Sequence, residues 1–100
     1  MSDVIVRATA LRWASDDFPG WVEVVLADRA GRLHHIVEKI PVLTRADVTA
    51  ASVLPSELWL RAAYQRTDGG EAVIVHLLDG VTTTEDLHEL SVAVQDLRWL

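Results

Sequence analysis

The chain of 100 residues contains no cysteine, so it can form no disulfide, no thiolate metal site and no thiol nucleophile. It has no apolar run near the ~20 residues that a membrane span requires. Its start, Met-Ser-Asp-Val-Ile-Val-Arg, lacks the basic opening and long apolar stretch of a signal peptide. These absences set the expectation of a soluble cytoplasmic protein with no membrane attachment. Basic clusters are missing too. Nine Lys and Arg residues stand against fifteen Asp and Glu, for a formal charge of −6. The basic residues are scattered singly and Lys39 is the sole lysine. Nucleic-acid binders draw affinity from neutralising phosphates with a Lys/Arg-rich face, so no nucleic-acid partner is expected.

Catalytic signatures are equally scarce. Ser2, Ser15, Ser52, Ser56 and Ser91 have no G-x-S-x-G context, and Gly69-Gly70 lies between strand-like segments rather than ahead of a helix. Asp16-Asp17 and Glu85-Asp86 sit in polar loops, where nothing shifts a carboxyl towards acid–base work. No H-x-H, H-x-x-x-H or cysteine pair marks a metal site, so no metal and no cofactor is expected. His34 and His35 are adjacent, and neighbouring strand residues face opposite ways. They cannot chelate one ion; the expectation is one ring packed inward and one at the surface.

What the chain does contain is a globular composition, 50% hydrophobic and 24% charged. A chain of this length buries roughly 65% of its unfolded surface, enough for one core and one domain spanning 1–100. Gly, Pro and Asp clusters recur about every ten residues and separate short runs rich in Val, Ile and Thr. Strands are expected at 4–13, 21–27, 32–40, 57–66 and 72–78. Asp28-Arg29-Ala30-Gly31 reads as a type I turn closed by a left-handed glycine, and Thr67-Asp68-Gly69-Gly70 as a second hairpin. Pro41 stops the third strand. Pro41-Val42-Leu43 can extend the sheet briefly, and 44–47 can form one helical turn capped by Thr44.

The last twenty residues carry two patterns. Leu87, Leu90, Val94 and Leu97 fall on one helical face, and Thr82 with Glu85 or Thr83 with Asp86 would cap it. Leu90, Val92 and Val94 alternate instead, as a strand does. A helix strands Val92 and Trp99 off its stripe, which selects a strand at 88–94 followed by a helical turn over 95–99. The whole reads as all-β: a six-stranded antiparallel small barrel, OB-like or SH3-like, with a short helical turn near the C-terminus. Open and closed barrels both fit.

Four tryptophans, Trp13, Trp21, Trp59 and Trp99, are the most informative side chains. Alternation places Trp21 with Glu23 opposite Val22, Val24 and Leu26. It places Trp59 with Arg61 and Gln65 opposite Leu58, Leu60 and Tyr64. Structural cover accounts for such tryptophans, and so does a polar-rimmed interaction patch. Glu38 and Lys39 close the third strand as a surface ion pair or as recognition charges at the barrel mouth. The candidate binding residues are therefore Trp21, Glu23, Glu38, Lys39, Trp59 and Arg61. They suit a non-catalytic binding module, an immunity-type inhibitor or accessory protein, acting on a protein partner or as a homodimer. The alternative is a small-molecule or enzymatic site inside the barrel around His34, Glu38 and His76.

The segments Arg12-Trp13, Pro19-Gly20-Trp21-Val22-Glu23-Val24, Asp28-Arg29-Ala30-Gly31-Arg32 and Val37-Glu38-Lys39-Ile40-Pro41-Val42 carry a family resemblance. The chain resembles a group of small bacterial proteins with a W-V-E-V strand, a D-x-x-G-R turn and a V-[DE]-K-x-P-V strand end. His34 and Ile36 stand where those proteins carry aromatics. The resemblance implies strands, including one in the C-terminal segment, and implies no activity, cofactor or binding residue.

Overall fold

A computed structural model describes residues 3–15, 20–44 and 53–100. Alternation of apolar and polar residues dictates its elements. In β1 (Asp3–Ser15) Val4, Val6, Ala8 and Ala10 are buried, and in β2 (Trp21–Ala27) Val22, Val24 and Leu26 are. Their odd-numbered neighbours face outward, as a period of two requires. β3 (Leu33–Lys39) and β6 (Glu89–Ala93) follow the same rule, and β4 (Ser56–Thr67) and β5 (Ala72–Leu77) do so apart from the consecutive buried pairs Ala62-Ala63 and Ala72-Val73. A 3-10 turn over Val94–Asp96 leads into a seventh strand, β7 (Leu97–Trp99).

The strands form one antiparallel sheet in the order β3-β2-β1-β4-β5-β6, curled into a half-barrel, with β7 paired to Val4–Val6 of β1. The architecture is all-β as expected, with seven strands among the described residues in place of six. Two meanders, β1-β2-β3 and β4-β5-β6, join through the pairing of β1 with β4. β4 therefore returns beside β1 rather than beside β3, a Greek-key arrangement of the first four strands. β3 and β6 are the edges, and connecting segments bridge them. Arg29 N–H in the β2–β3 turn donates to Ser91 O at 2.8 Å, and Thr84 N–H in the β5–β6 loop donates to His35 O at 2.8 Å.

The turns carry the chemistry their sequences promised. Asp28 Oδ1 accepts from the N–H groups of Ala30 and Arg32, and Gly31 takes φ 82°, where a side chain would be strained. Gly20 combines φ 94° with a close neighbour, since a Cβ there would lie 3.1 Å from Trp13. Pro41-Val42-Leu43 does not extend the sheet: Ile40–Leu43 is a single helical turn, α1, with Pro41 in its first positions. Thr44 closes that turn, its N–H donating to Ile40 O at 3.1 Å, and the turn expected over 44–47 lies largely outside the described residues. The expected helical turn over 95–99 is the 3-10 turn and then β7, because Leu97 is buried against β1. Among the described residues, no helix is long and apolar enough to cross a membrane.

Candidate functional site

Valine, leucine, isoleucine and alanine side chains from all seven strands fill the inner face of the sheet, with Ile40, Leu43 and Val81 closing it. The three groups of the interior-site alternative do not converge there. His34, 4% exposed, has Asp28 Oδ2 at 2.9 Å from Nε2 and Glu85 Oε1 at 3.0 Å from Nδ1. Glu38 accepts from the N–H of Lys39 at 2.9 Å. His76 packs edge-on against His88. Each has its own partners, and the three do not meet one another among the described contacts. The inward and outward assignment of the adjacent histidines holds: His34 is buried, while His35 is partly exposed and meets Glu23 Oε2 at 3.0 Å.

Five of the six candidate residues divide between two patches. At one end of the outer face, Trp21 and Lys39 are cross-strand partners, with the ammonium 5.2 Å from the indole centroid. Glu23 sits between Arg12, at 2.7 Å, and His35. These contacts hold the Glu23 carboxyl below its ordinary range, the Arg12 hydrogen bond first and that of His35 second. Trp21 and Val37 border only a shallow hollow. Glu38 belongs to the other side of β3, opposite Val22, so it joins neither patch. Lys39 is thus a stacking cation, and Glu38 receives its backbone N–H.

Trp59 and Arg61 make the second patch, on the outer face of β4. The register sets Arg7 of β1 opposite Trp59, and Ile5 opposite both Arg61 and Arg98 of β7. The Arg98 guanidinium lies 4.2 Å from the Trp59 ring centroid and that of Arg7 5.4 Å. The indole Nε1–H donates to Glu57 Oε1 at 2.9 Å. Arg61 pairs with Asp79 at 3.2 Å and Arg7 with Asp96 at 3.8 Å. Beside this cluster opens a pocket of about 360 Å³ lined by Trp59 and Arg61, with apolar walls from Ile5, Ala62, Leu78 and Leu100 and with Asp3 at its edge. Trp21 pairs with Ser15 and Trp59 with Arg7, eight residues apart along β1, or about 25 Å of strand. The two patches are separate surfaces.

Arg7 and Arg98 had no sequence signal of their own, since their relevance depends on the β1–β4 and β1–β7 registers. No family model matches the chain, and no curated protein or solved structure matches it.

Proposed function

We propose that this chain is a non-catalytic binding module whose docking surface is the Trp59–Arg61 patch. The partner is a protein segment that seats an apolar side chain in the adjoining pocket and sets a carboxylate against Arg98. One observation supports this reading above the others: a tryptophan and three arginines meet beside an apolar concavity on the outer face. Tryptophan and arginine dominate interface energetics when an apolar anchor is ringed by polar groups. A nucleic-acid strand fits less well, because Arg7 and Arg61 already face carboxylates and the chain carries a charge of −6. An accessory or inhibitory protein is the role such a surface serves.

Selection of displayed peptides on the immobilised chain tests the proposal. Binders are expected to share an apolar residue flanked by Asp or Glu. Their affinity should fall at least about tenfold in Trp59→Ala, within the range of an interface anchor, and should weaken with salt. Binders indifferent to Trp59→Ala, or binding of a single-stranded oligonucleotide in place of peptides, would overturn it.

A second reading rests on β3. This strand leaves Leu33 58% and Val37 43% exposed on its outer face, as a face packed against a second copy of the chain would. Sedimentation across a hundredfold concentration range gives a rising mass if the chain self-associates there, and Val37→Lys should abolish the rise.

A further inference from the structure

His76, His88 and Glu89 come together where β5 meets β6. His76 and Glu89 are cross-strand partners, with His76 Nδ1 3.9 Å from Glu89 Oε1. His88 precedes the first residue of β6, so strand alternation does not force it to the side opposite Glu89. Its ring meets that of His76 edge-on, with centroids 5.1 Å apart. One ligand atom from each of the three side chains lies within 4.8 Å of the other two. The carboxylate has an outer support: Gln65 Nε2 donates to Glu89 Oε1 at 2.8 Å, and Arg66 donates to Gln65 Oε1 at 2.8 Å.

We propose that His76, His88 and Glu89 form a binding site for a divalent cation of the zinc type, with a fourth coordination position open to solvent. Two imidazoles and one carboxylate are a donor set that zinc and its d-block neighbours accept, whereas calcium and magnesium require oxygen ligands. Bond lengths near 2.0–2.2 Å put tetrahedral donors about 3.3 Å apart, so the present spacing must contract by about 1.5 Å at most. Side-chain rotation supplies that movement, since His88 and Glu89 are exposed and His76 is partly so. The strand positions of His76 and Glu89 are fixed by the ladder, and Leu77 N–H donates to His88 O at 2.8 Å, which anchors the third ligand. Gln65 plays the part of the hydrogen-bonded partner that orients a ligating carboxylate. The positive charge of Arg66 opposes the cation and limits affinity, so the site exchanges its ion with solvent. It shares no residue with the Trp59 patch on β4, β1 and β7.

Isothermal titration of the chelator-treated full chain with zinc chloride tests the site. The expected result is saturable binding of one zinc per chain, weakened at least about tenfold in His76→Ala and in His88→Ala and retained in His35→Ala. Cobalt should give the visible absorption of a four-coordinate ion, and magnesium should give no saturable heat. Thermal melts establish that each variant is folded, and either histidine variant carries the test if the other does not fold. Wild-type chain without saturable zinc binding, or wild-type affinity retained in the folded histidine variants, would overturn the proposal.

Discussion

His34 ties three parts of the chain together. It projects from β3 into the protein, where Asp28 of the β2–β3 turn and Glu85 of the β5–β6 loop each meet a ring nitrogen. Glu85 also accepts from Arg32 at 2.8 Å. His34→Ala removes the shared partner of two carboxylates and leaves a void, so a loss of about 2–4 kcal/mol is expected from urea unfolding. Trp21 is the contrasting case. It lies on the outer face against Lys39, so Trp21→Ala should cost only about 1 kcal/mol. Ile36→Ala, at a fully buried position on the neighbouring strand, should cost about 2–5 kcal/mol. Reversal of that order in the same urea experiment would show that Trp21 is a core residue. Alternation was enough to put Trp21 opposite Val22, Val24 and Leu26 and to set the two adjacent histidines on opposite sides, because β2 and β3 are regular over their whole length; which histidine faces inward depends on the packing of the sheet.

At the scale of elements, the sequence is most legible where turn chemistry and alternation agree. β2 runs over the seven residues expected of it, and the Asp28–Gly31 turn forms as its composition requires. The C-terminal segment shows how two periodicities are decided by burial. Leu87 and Val94, two members of the helical stripe, are 40% and 43% exposed, while Leu90 and Val92 are buried on the inner face. The strand wins because β5 offers a free edge, where Val92 can lie opposite Val73. The loop ahead of it is ordered by Thr83, which is buried and whose Oγ1 accepts from the N–H groups of Glu85 and Leu87. Thr83→Ala leaves those donors without that partner, so it should cost about 1–3 kcal/mol. It should also raise hydrogen exchange at Thr84, whose N–H reaches across to β3. Unchanged exchange at Thr84 would mean that the loop does not hold the β3 edge. The position of β4 beside β1, and with it the Trp59 patch, could not be read from local signals. Hairpin rules pair neighbours, whereas β3 and β4 are joined by a long connection and pair with other strands.

Across the whole molecule, acidic groups link folding to pH. Glu23, Asp28, Asp68 and Glu89 are all held below their ordinary values of 3.8 for Asp and 4.5 for Glu. The leading causes are hydrogen bonds from Arg12 to Glu23, His34 to Asp28, Ser91 to Asp68 and Gln65 to Glu89. Depressed carboxyls bind fewer protons folded than unfolded, so their contribution is present above the ordinary values and is lost as pH falls through the folded ones. Their contribution to the melting temperature should therefore be steady above about pH 5 and fall below about pH 4. Asp28→Asn should flatten that fall, and an unchanged slope would remove Asp28 from the linkage.

The central claim, that the Trp59 patch is where a partner docks, is tested most directly by a charge swap. Calorimetry would compare a selected peptide carrying Glu, and its Lys counterpart, against the wild-type chain and Arg98→Glu. Arg98→Glu should lose the Glu peptide and gain the Lys peptide, with the coupling energy of a close interfacial charge pair, upwards of about 1.5 kcal/mol. Equal affinity of both peptides for both chains would contradict it.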